Sequence, residues 1–351
     1  MNIENILKLA VEQKVSDLFI ISGTPLAFKS NNNIFPMDDK RLMPADTEVY
    51  IREIYKIAEN RDISTLLSIG DDDFSFSIRG VARFRCNTYK QRGSLSAVIR
   101  VVNFELPDYA SLNIPDAVIN LYKKNKGLVL ITGAAGSGKS TTLSCIINKI
   151  NTNLNKHIIT IEDPIEHLHR HNKSIVSQRE LTHDTRTYVA ALRSALRQSP
   201  NVILLGEMRD YETMATAMTA AETGQLVLST LHTVGAANTI DRIIDIFPSN
   251  QQQQIRIQLS MVLQAVISQQ LIPTVDGRLV PAFEIMTINN AIRNMIRESK
   301  VHQLDNAIYS GGNKDMLSMD ADILRLYKEG VISKENAVTY STNPEVIIKK
   351  L

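Results

Sequence analysis

The spacing of apolar positions changes rhythm along the chain. Near the start, Ile6, Leu7, Ala10 and Val11 recur at the helical interval and predict an amphipathic helix, after which Val15 to Ile21 reads as a short apolar strand. From Thr47 to Ala58, Val49, Ile51, Ile54 and Ile57 are interleaved with charge and predict a second helix. Between Val81 and Val102 the interval shortens to two. Ala82, Phe84 and Cys86 fall on one face and Arg83, Arg85 and Asn87 on the other, with Gln91-Arg92-Gly93 as the turn. This predicts a β-hairpin whose wet face carries arginines.

Pro107 and Pro115 interrupt the pattern, and the polar segment Asp108-Tyr109-Ala110-Ser111-Leu112-Asn113 between them reads as a linker. Beyond it, apolar runs at Leu128 to Thr132, Ile158 to Ile161, Val202 to Leu205 and Leu226 to Leu231 alternate with helical stretches. That alternation is the signature of a parallel sheet with crossover helices. From about Ser249 the pattern reads as mostly helical to the end, with Gln251 to Gln254 as a solvated helix start. No internal repeat is visible. The expected division is therefore residues 1–106, a linker at 107–115, and a second domain at 116–351 with C-terminal helices from about 249.

Composition narrows the class. A chain of 351 residues, 44% hydrophobic and 22% charged, is large enough for two or three domains and excludes disordered, collagenous and coiled-coil classes. With 39 basic and 37 acidic side chains, no polyanion-binding surface shows in the total. Cys86 and Cys145 are too few for a disulfide framework or a four-cysteine zinc site, which fits a reducing compartment. Met1-Asn2-Ile3-Glu4-Asn5 lacks the basic and apolar regions of a signal peptide, and no apolar run approaches the ~18 residues of a membrane span. The expectation is a cytosolic protein that reaches any membrane through a partner.

The strongest chemical signal is Gly133-Ala134-Ala135-Gly136-Ser137-Gly138-Lys139-Ser140, followed by Thr141, which satisfies the P-loop pattern between an apolar strand and a helical run to Ile150. Glycines let successive backbone N–H groups face phosphate oxygens, and the helix N-terminus adds its positive end. Lys139 is placed to reach the β- and γ-phosphates of ATP and the Ser140 hydroxyl to coordinate magnesium. Glu207 ends the strand Val202 to Leu205 and Gly206, where ligands of open α/β sheets sit, and reads as a Walker B-type acid on the magnesium side. Thr160-Ile161-Glu162-Asp163-Pro164-Ile165-Glu166 puts three further carboxylates at a strand exit. Adjacent strand residues face opposite ways, so Glu162 and Asp163 cannot both face the nucleotide, and Glu166 lies past the proline. Helix capping or pairing with surface lysines is the plain alternative for these acids. His232, at the end of Leu226 to Leu231, stands where one hydrogen bond senses a γ-phosphate, or else is a packed histidine. His157, His167, His169, His171 and His183 fall in one region, but no cysteine or well-placed carboxylate completes a metal site, and a polar loop is the expectation.

Taken together, these motifs resemble those of the secretion and type IV pilus ATPases, on the side of the retraction motors. Gly133 to Ser140 is similar to the family's Walker A box, Thr160 to Glu166 to its aspartate box, Leu205 to Asp210 to its Walker B box and Thr219 to Thr233 to its histidine box. Ser16-Asp17-Leu18 and Gly80 to Asn87 resemble its PAS-like N-terminal domain, and Ala291-Ile292-Arg293-Asn294 its retraction motif. The resemblance implies an α/β chain with a PAS-like N-terminal domain and a RecA-like P-loop ATPase domain with a helical C-terminal extension. It also implies a homo-hexamer that hydrolyses ATP with Mg2+ and powers pilus retraction, bound to an inner-membrane pilus platform protein. A paralogous motor ATPase is a further partner, and no nucleic acid is expected. Residue by residue, it makes Glu166 the general base, Glu207 the magnesium-side acid and His232 a γ-phosphate contact, with Arg83, Arg85 and Arg100 as candidates to act on a neighbouring subunit's nucleotide. Ion pairs with nearby acids are the alternative for these arginines. The sequence departs from the family at Ala134-Ala135 (usually Pro-Thr), Gln225 (His), Phe19 (His) and Met295 (Leu). The rivals are an assembly motor, for which the chain lacks the extra domain and cysteines, a non-hydrolysing accessory subunit, and a RecA-like DNA translocase.

Overall fold

In the computed structural model, which describes residues 2–30, 33–102, 108–311 and 315–351, the chain divides into two units, Met1–Glu105 and Leu106–Leu351. The first is built on helix α1 (Ile3–Glu12), strands β1 (Asp17–Ile20), β2 (Pro25–Ser30) and β3 (Asn33–Arg41), helices α2 (Pro44–Ile57) and α3 (Ser64–Ile69), and strands β4 (Asp71–Ile78), β5 (Ala82–Gln91) and β6 (Ser94–Val102). Its six strands pair antiparallel in the order β3-β2-β1-β6-β5-β4. Asn2 caps α1 by accepting from the Asn5 N–H, and the helix buries Ile3, Ile6, Leu7 and Ala10. Pro44 opens α2, which buries Ile51, Ile54 and Tyr55 but leaves Val49 exposed. The β5–β6 turn places Arg92 and Gly93 both at positive φ, the two-residue geometry that matches strand twist. Ala82, Phe84 and Cys86 are buried as the alternation predicts, with Phe84 stacked on Phe76. The pattern missed β2 and β4. It also missed β3, which is exposed along both faces and so has no periodicity to read.

The second unit carries an eight-stranded sheet in the order β14-β13-β12-β7-β11-β10-β8-β9. Its strands are β7 (Gly127–Thr132), β8 (His157–Glu162), β9 (Ile175–Glu180), β10 (Val202–Leu205), β11 (Leu226–Leu231), β12 (Leu263–Pro273), β13 (Leu279–Thr287) and β14 (Met316–Leu317). From β12 to β9 the neighbours are parallel; β13 and β14 add antiparallel. The helices are α4 (Asp116–Ile119), α5 (Lys139–Asn153), α6 (Tyr188–Ala195), α7 (Tyr211–Glu222), α8 (Ala236–Asp245), α9 (Gln252–Val262), α10 (Asn290–Arg297), α11 (Leu304–Ser310), α12 (Met319–Lys328), α13 (Lys334–Thr339) and α14 (Pro344–Ile348). Alternate residues of each central strand enter different cores. Leu128, Leu130, Ile203 and Leu205 pack with α6 to α11, while Val129, Ile131, Val202 and Leu204 pack with α4 and α5.

Two expectations change. Residues 263–287 are not helical: they form the β12–β13 hairpin, and its turn contains Asp276-Gly277, a hairpin signal that the helical reading passed over. The segment expected as a linker is folded onto the second unit, where Ile114 is buried and Tyr109 and Leu112 pack against the α4–α5 core. Those three side chains have too much apolar surface to remain solvated. Pro107 lies outside the described residues.

Candidate active site

The P-loop joins the buried end of β7 to the first turn of α5. Gly133, Gly136 and Gly138 all hold positive φ. At Gly133 a Cβ would overlap the Gln269 carbonyl oxygen, and at Gly138 it would come 2.9 Å from Gln269 Nε2, so β12 presses directly on the loop. Gln269, 4% exposed, also accepts a 2.7 Å hydrogen bond from Thr142 Oγ1 in the first turn of α5. The Lys139 ammonium donates to the carbonyls of Gly133 (2.9 Å) and Ala134 (2.8 Å), and burial pulls its pKa down while Glu166 and Glu207 oppose the shift. Ser137 Oγ is buried with no hydrogen-bond partner among the described residues. Glycine close approach and an orphaned hydroxyl fit a phosphate cradle.

Facing the loop is a cavity of about 260 Å3 lined by Lys139, Ser140, Glu166, Glu207 and His232 together with Tyr188. Glu162, Asp163 and Arg209 also reach it. Parallel pairing brings the ends of β7, β8, β10 and β11 to one edge, which is why motifs far apart in sequence meet there. Glu207 follows Gly206, whose N–H donates to the Ile161 carbonyl (2.8 Å) and whose carbonyl accepts from Thr230 Oγ1 (2.6 Å). A Cβ at Gly206 would meet the Tyr188 hydroxyl at 2.8 Å. The Glu207 carboxylate, almost buried, is bonded by Arg209 Nη2 (2.7 Å) and His232 Nε2 (3.1 Å). His232 thus stands on Glu207 rather than apart from it. Arg209 was not singled out from the sequence, though it lies two residues past Glu207 in the same motif. Gln269 had no local signal, because β12 itself was read as helix.

Glu162 accepts from Thr160 Oγ1 (2.6 Å) and Gln178 Nε2 (3.3 Å), and burial pushes its carboxyl up to about 7. Asp163 and Glu166 are exposed at the surface of the cavity. Ser140 and Glu207 supply the one hydroxyl and one carboxylate from which magnesium is usually held together with phosphate oxygens. Among the described residues no group of three or more His, Cys, Asp or Glu is placed to hold a metal by itself. His171 Nδ1 accepts from the Val176 N–H (3.1 Å), His167 Nε2 lies 3.4 Å from Thr141 Oγ1, and burial lowers His169 to about 4.

The lining comes from the second unit. Arg83, Arg85 and Arg100 belong to the first unit, on β5 and β6, where Arg85 and Arg100 are opposite one another. Arg85 pairs with Asp73 (2.7 Å) and Arg100 with Asp17 (3.0 Å). Gln225 sits before β11, with its carbonyl bonded to the Gly127 N–H at the start of β7. It is therefore at the edge of the sheet opposite the P-loop, roughly 20 Å away along a six-residue strand. Phe19 lies on β1, and Met295 packs against the larger core of the second unit. A larger cavity, about 1060 Å3, lies among α8, α11, α12 and α14 and contains none of the motif residues.

The chain matches the family described as Type II/IV secretion system protein over residues 1–343. It belongs to that family. Among its relatives in the family, it is 41% identical over 345 residues, 98% of this chain and 99% of the other, to the type IV pilus retraction ATPase PilT of Pseudomonas aeruginosa. It is 46% identical to a twitching motility protein of Neisseria gonorrhoeae over 274 residues, 78% of this chain and 73% of that one. The crystal structure of the pilus retraction motor PilT with bound ADP superposes with a TM-score of 0.90 at 45% identity, covering 99% of both chains. Among the described residues no helix is long and apolar enough to cross a membrane.

Proposed function

We propose that this chain is the ATP-hydrolysing subunit of a hexameric, magnesium-dependent motor that retracts type IV pili. The observation that carries the reading is the convergence of Lys139, Ser140, Glu166, Glu207 and His232 on one cavity beside the P-loop, in a chain whose family likeness spans almost its whole length. The P-loop N–H groups and Lys139 bind the β- and γ-phosphates of ATP, the ammonium exchanging the Gly133 and Ala134 carbonyls for phosphoryl oxygens. The Ser140 hydroxyl and the Glu207 carboxylate would hold a magnesium ion, which would supply neutralisation of phosphate charge. Glu166, exposed to the cavity, takes the proton of the attacking water. His232, bonded to Glu207, reports the γ-phosphate by moving between the carboxylate and a phosphoryl oxygen. Arg83, Arg85 and Arg100 act on the nucleotide of a neighbouring subunit, for which Arg85 and Arg100 leave Asp73 and Asp17.

The second unit is read as RecA-like and the first as PAS-like. Support for the latter is the strand order 2-1-6-5-4, with helices inserted before the last three strands. Loss of the γ-phosphate removes contacts that favour a closed subunit, and the resulting change in packing around the ring drives a platform protein at the cytoplasmic membrane. Gln225, which lent some weight to an accessory role, lies away from the cavity and does not argue against turnover. Phosphate release by the purified protein is the direct test. Lys139→Ala and Glu207→Ala should each lower it by at least about a hundredfold, and a normal rate in either variant overturns the site assignment.

A further inference from the structure

The loop that carries Glu166 is held at its backbone by side chains of one edge strand. In the β8–β9 pairing, Thr160 lies opposite Gln178 and Glu162 opposite Glu180. Glu180, 5% exposed, accepts a 3.1 Å hydrogen bond from the Ile165 N–H through Oε2. Gln178 accepts from the His169 N–H (2.7 Å) and donates to the His167 carbonyl (2.9 Å), and its amide also reaches Glu162 (3.3 Å). The backbone from Ile165 to His169 is thus tied at three points by two side chains, one of them a carboxylate. Pro164 has no N–H to give, and the first donor after it, at Ile165, is taken by an acid. A bond from an N–H to a carboxylate is about twice as strong as a neutral one, so the Glu180 bond to Ile165 is the firmest of the three.

We propose that Gln178 and Glu180 are positioning residues that form a backbone clamp fixing Glu166 over the cavity, so that the geometry of the catalytic base is set by β9. This rests on the reading of Glu166 as the base. A base displaced by even about 1 Å loses around a hundredfold in rate, whereas nucleotide affinity, held by the β7–α5 loop, is untouched.

The test is steady-state phosphate release and binding of a fluorescent ADP by the full chain carrying Glu180→Ala, Gln178→Ala or Glu180→Gln. The clamp predicts a fall in kcat of about tenfold or more for Glu180→Ala, a smaller fall for Gln178→Ala, and KM and ADP affinity within about twofold of wild type. Glu180→Gln keeps an oxygen for the Ile165 N–H and should recover most of the rate. Wild-type kcat in both alanine variants overturns the clamp. So does a parallel loss of kcat, ADP affinity and melting temperature, the mark of a purely structural role. If Glu180→Ala fails to fold, Gln178→Ala and Glu180→Gln decide the matter alone. Glu166→Ala separates the two readings: normal turnover there removes the base assignment and the clamp with it, while lost turnover beside unaffected clamp variants removes the clamp only.

Discussion

Burial pushes the Glu162 carboxyl up to about 7 even though Thr160, Gln178 and the Glu166 N–H all favour its charged form. Its folded value lies above the ordinary 4.5, so the native state holds the proton more tightly than the unfolded chain. The stability this represents is complete below about pH 4.5 and is lost as the pH rises through about 7. His169 works the other way. Its folded value, about 4 against an ordinary 6.5, gives stability that is present above 6.5 and lost as the pH falls toward 4. Between those limits the two slopes oppose each other. Glu162→Gln, neutral at every pH, should therefore gain stability over wild type as the pH is raised from 5 to 8, on the order of 2 kcal/mol. The same variant should expose the acid-side slope of His169. Urea unfolding midpoints across that range check both; a constant offset between variant and wild type would show that Glu162 is not the titrating group.

At the scale of elements, the P-loop is wedged between α5 and β12. Gly133→Ala puts a methyl group onto the Gln269 carbonyl at φ 141°, a conformation that already disfavours side chains. We expect it to abolish ADP binding and cost several kcal/mol by the scale of backbone strain and overpacking, read by calorimetry and thermal melting. Gly136→Ala, with no neighbour within 4 Å of its Cβ, meets only the strain of its positive φ and should cost less. The strands that position these residues differ in how they can be read. β7, β10 and β11 are buried along their whole length, so their apolar runs announce them. β9 has no such run: Gln178 and Glu180 face the loop that carries Glu166, so the residues that matter most for Glu166 hide the strand. β12 and β13 were lost to glutamines and to the helices beside them. Within the site, Lys139 and Ser140 open α5, Glu207 and His232 stand just past strand ends, and all four are legible from motif and position. Tyr188 and Gln269 join it only through tertiary packing.

For the whole molecule, the division of labour proposed between subunits has an arithmetic signature. If Arg85 and Arg100 act on a neighbour's nucleotide while Glu166 acts on its own, then Arg100→Ala and Glu166→Ala rings are each inactive. Mixed rings nevertheless contain complete sites, about a quarter of the total at equal proportions in a closed ring. Recovery of turnover on mixing the two variants supports action across the interface, and continued silence places the arginines in ion pairs with Asp17 and Asp73 only. β12 extends this reach within one subunit. Gln269 bears on the P-loop, its neighbour Gln270 donates to the Tyr340 carbonyl, and the Pro273 carbonyl at the strand's end accepts from Asn336 in α13. One strand is therefore in contact through its interior with the phosphate cradle and, from the next residue to its end, with the C-terminal helices. Linkage makes such a connection symmetrical: a partner that weakens nucleotide binding when it sits on those helices is itself bound more weakly, by the same factor, once ATP is in place.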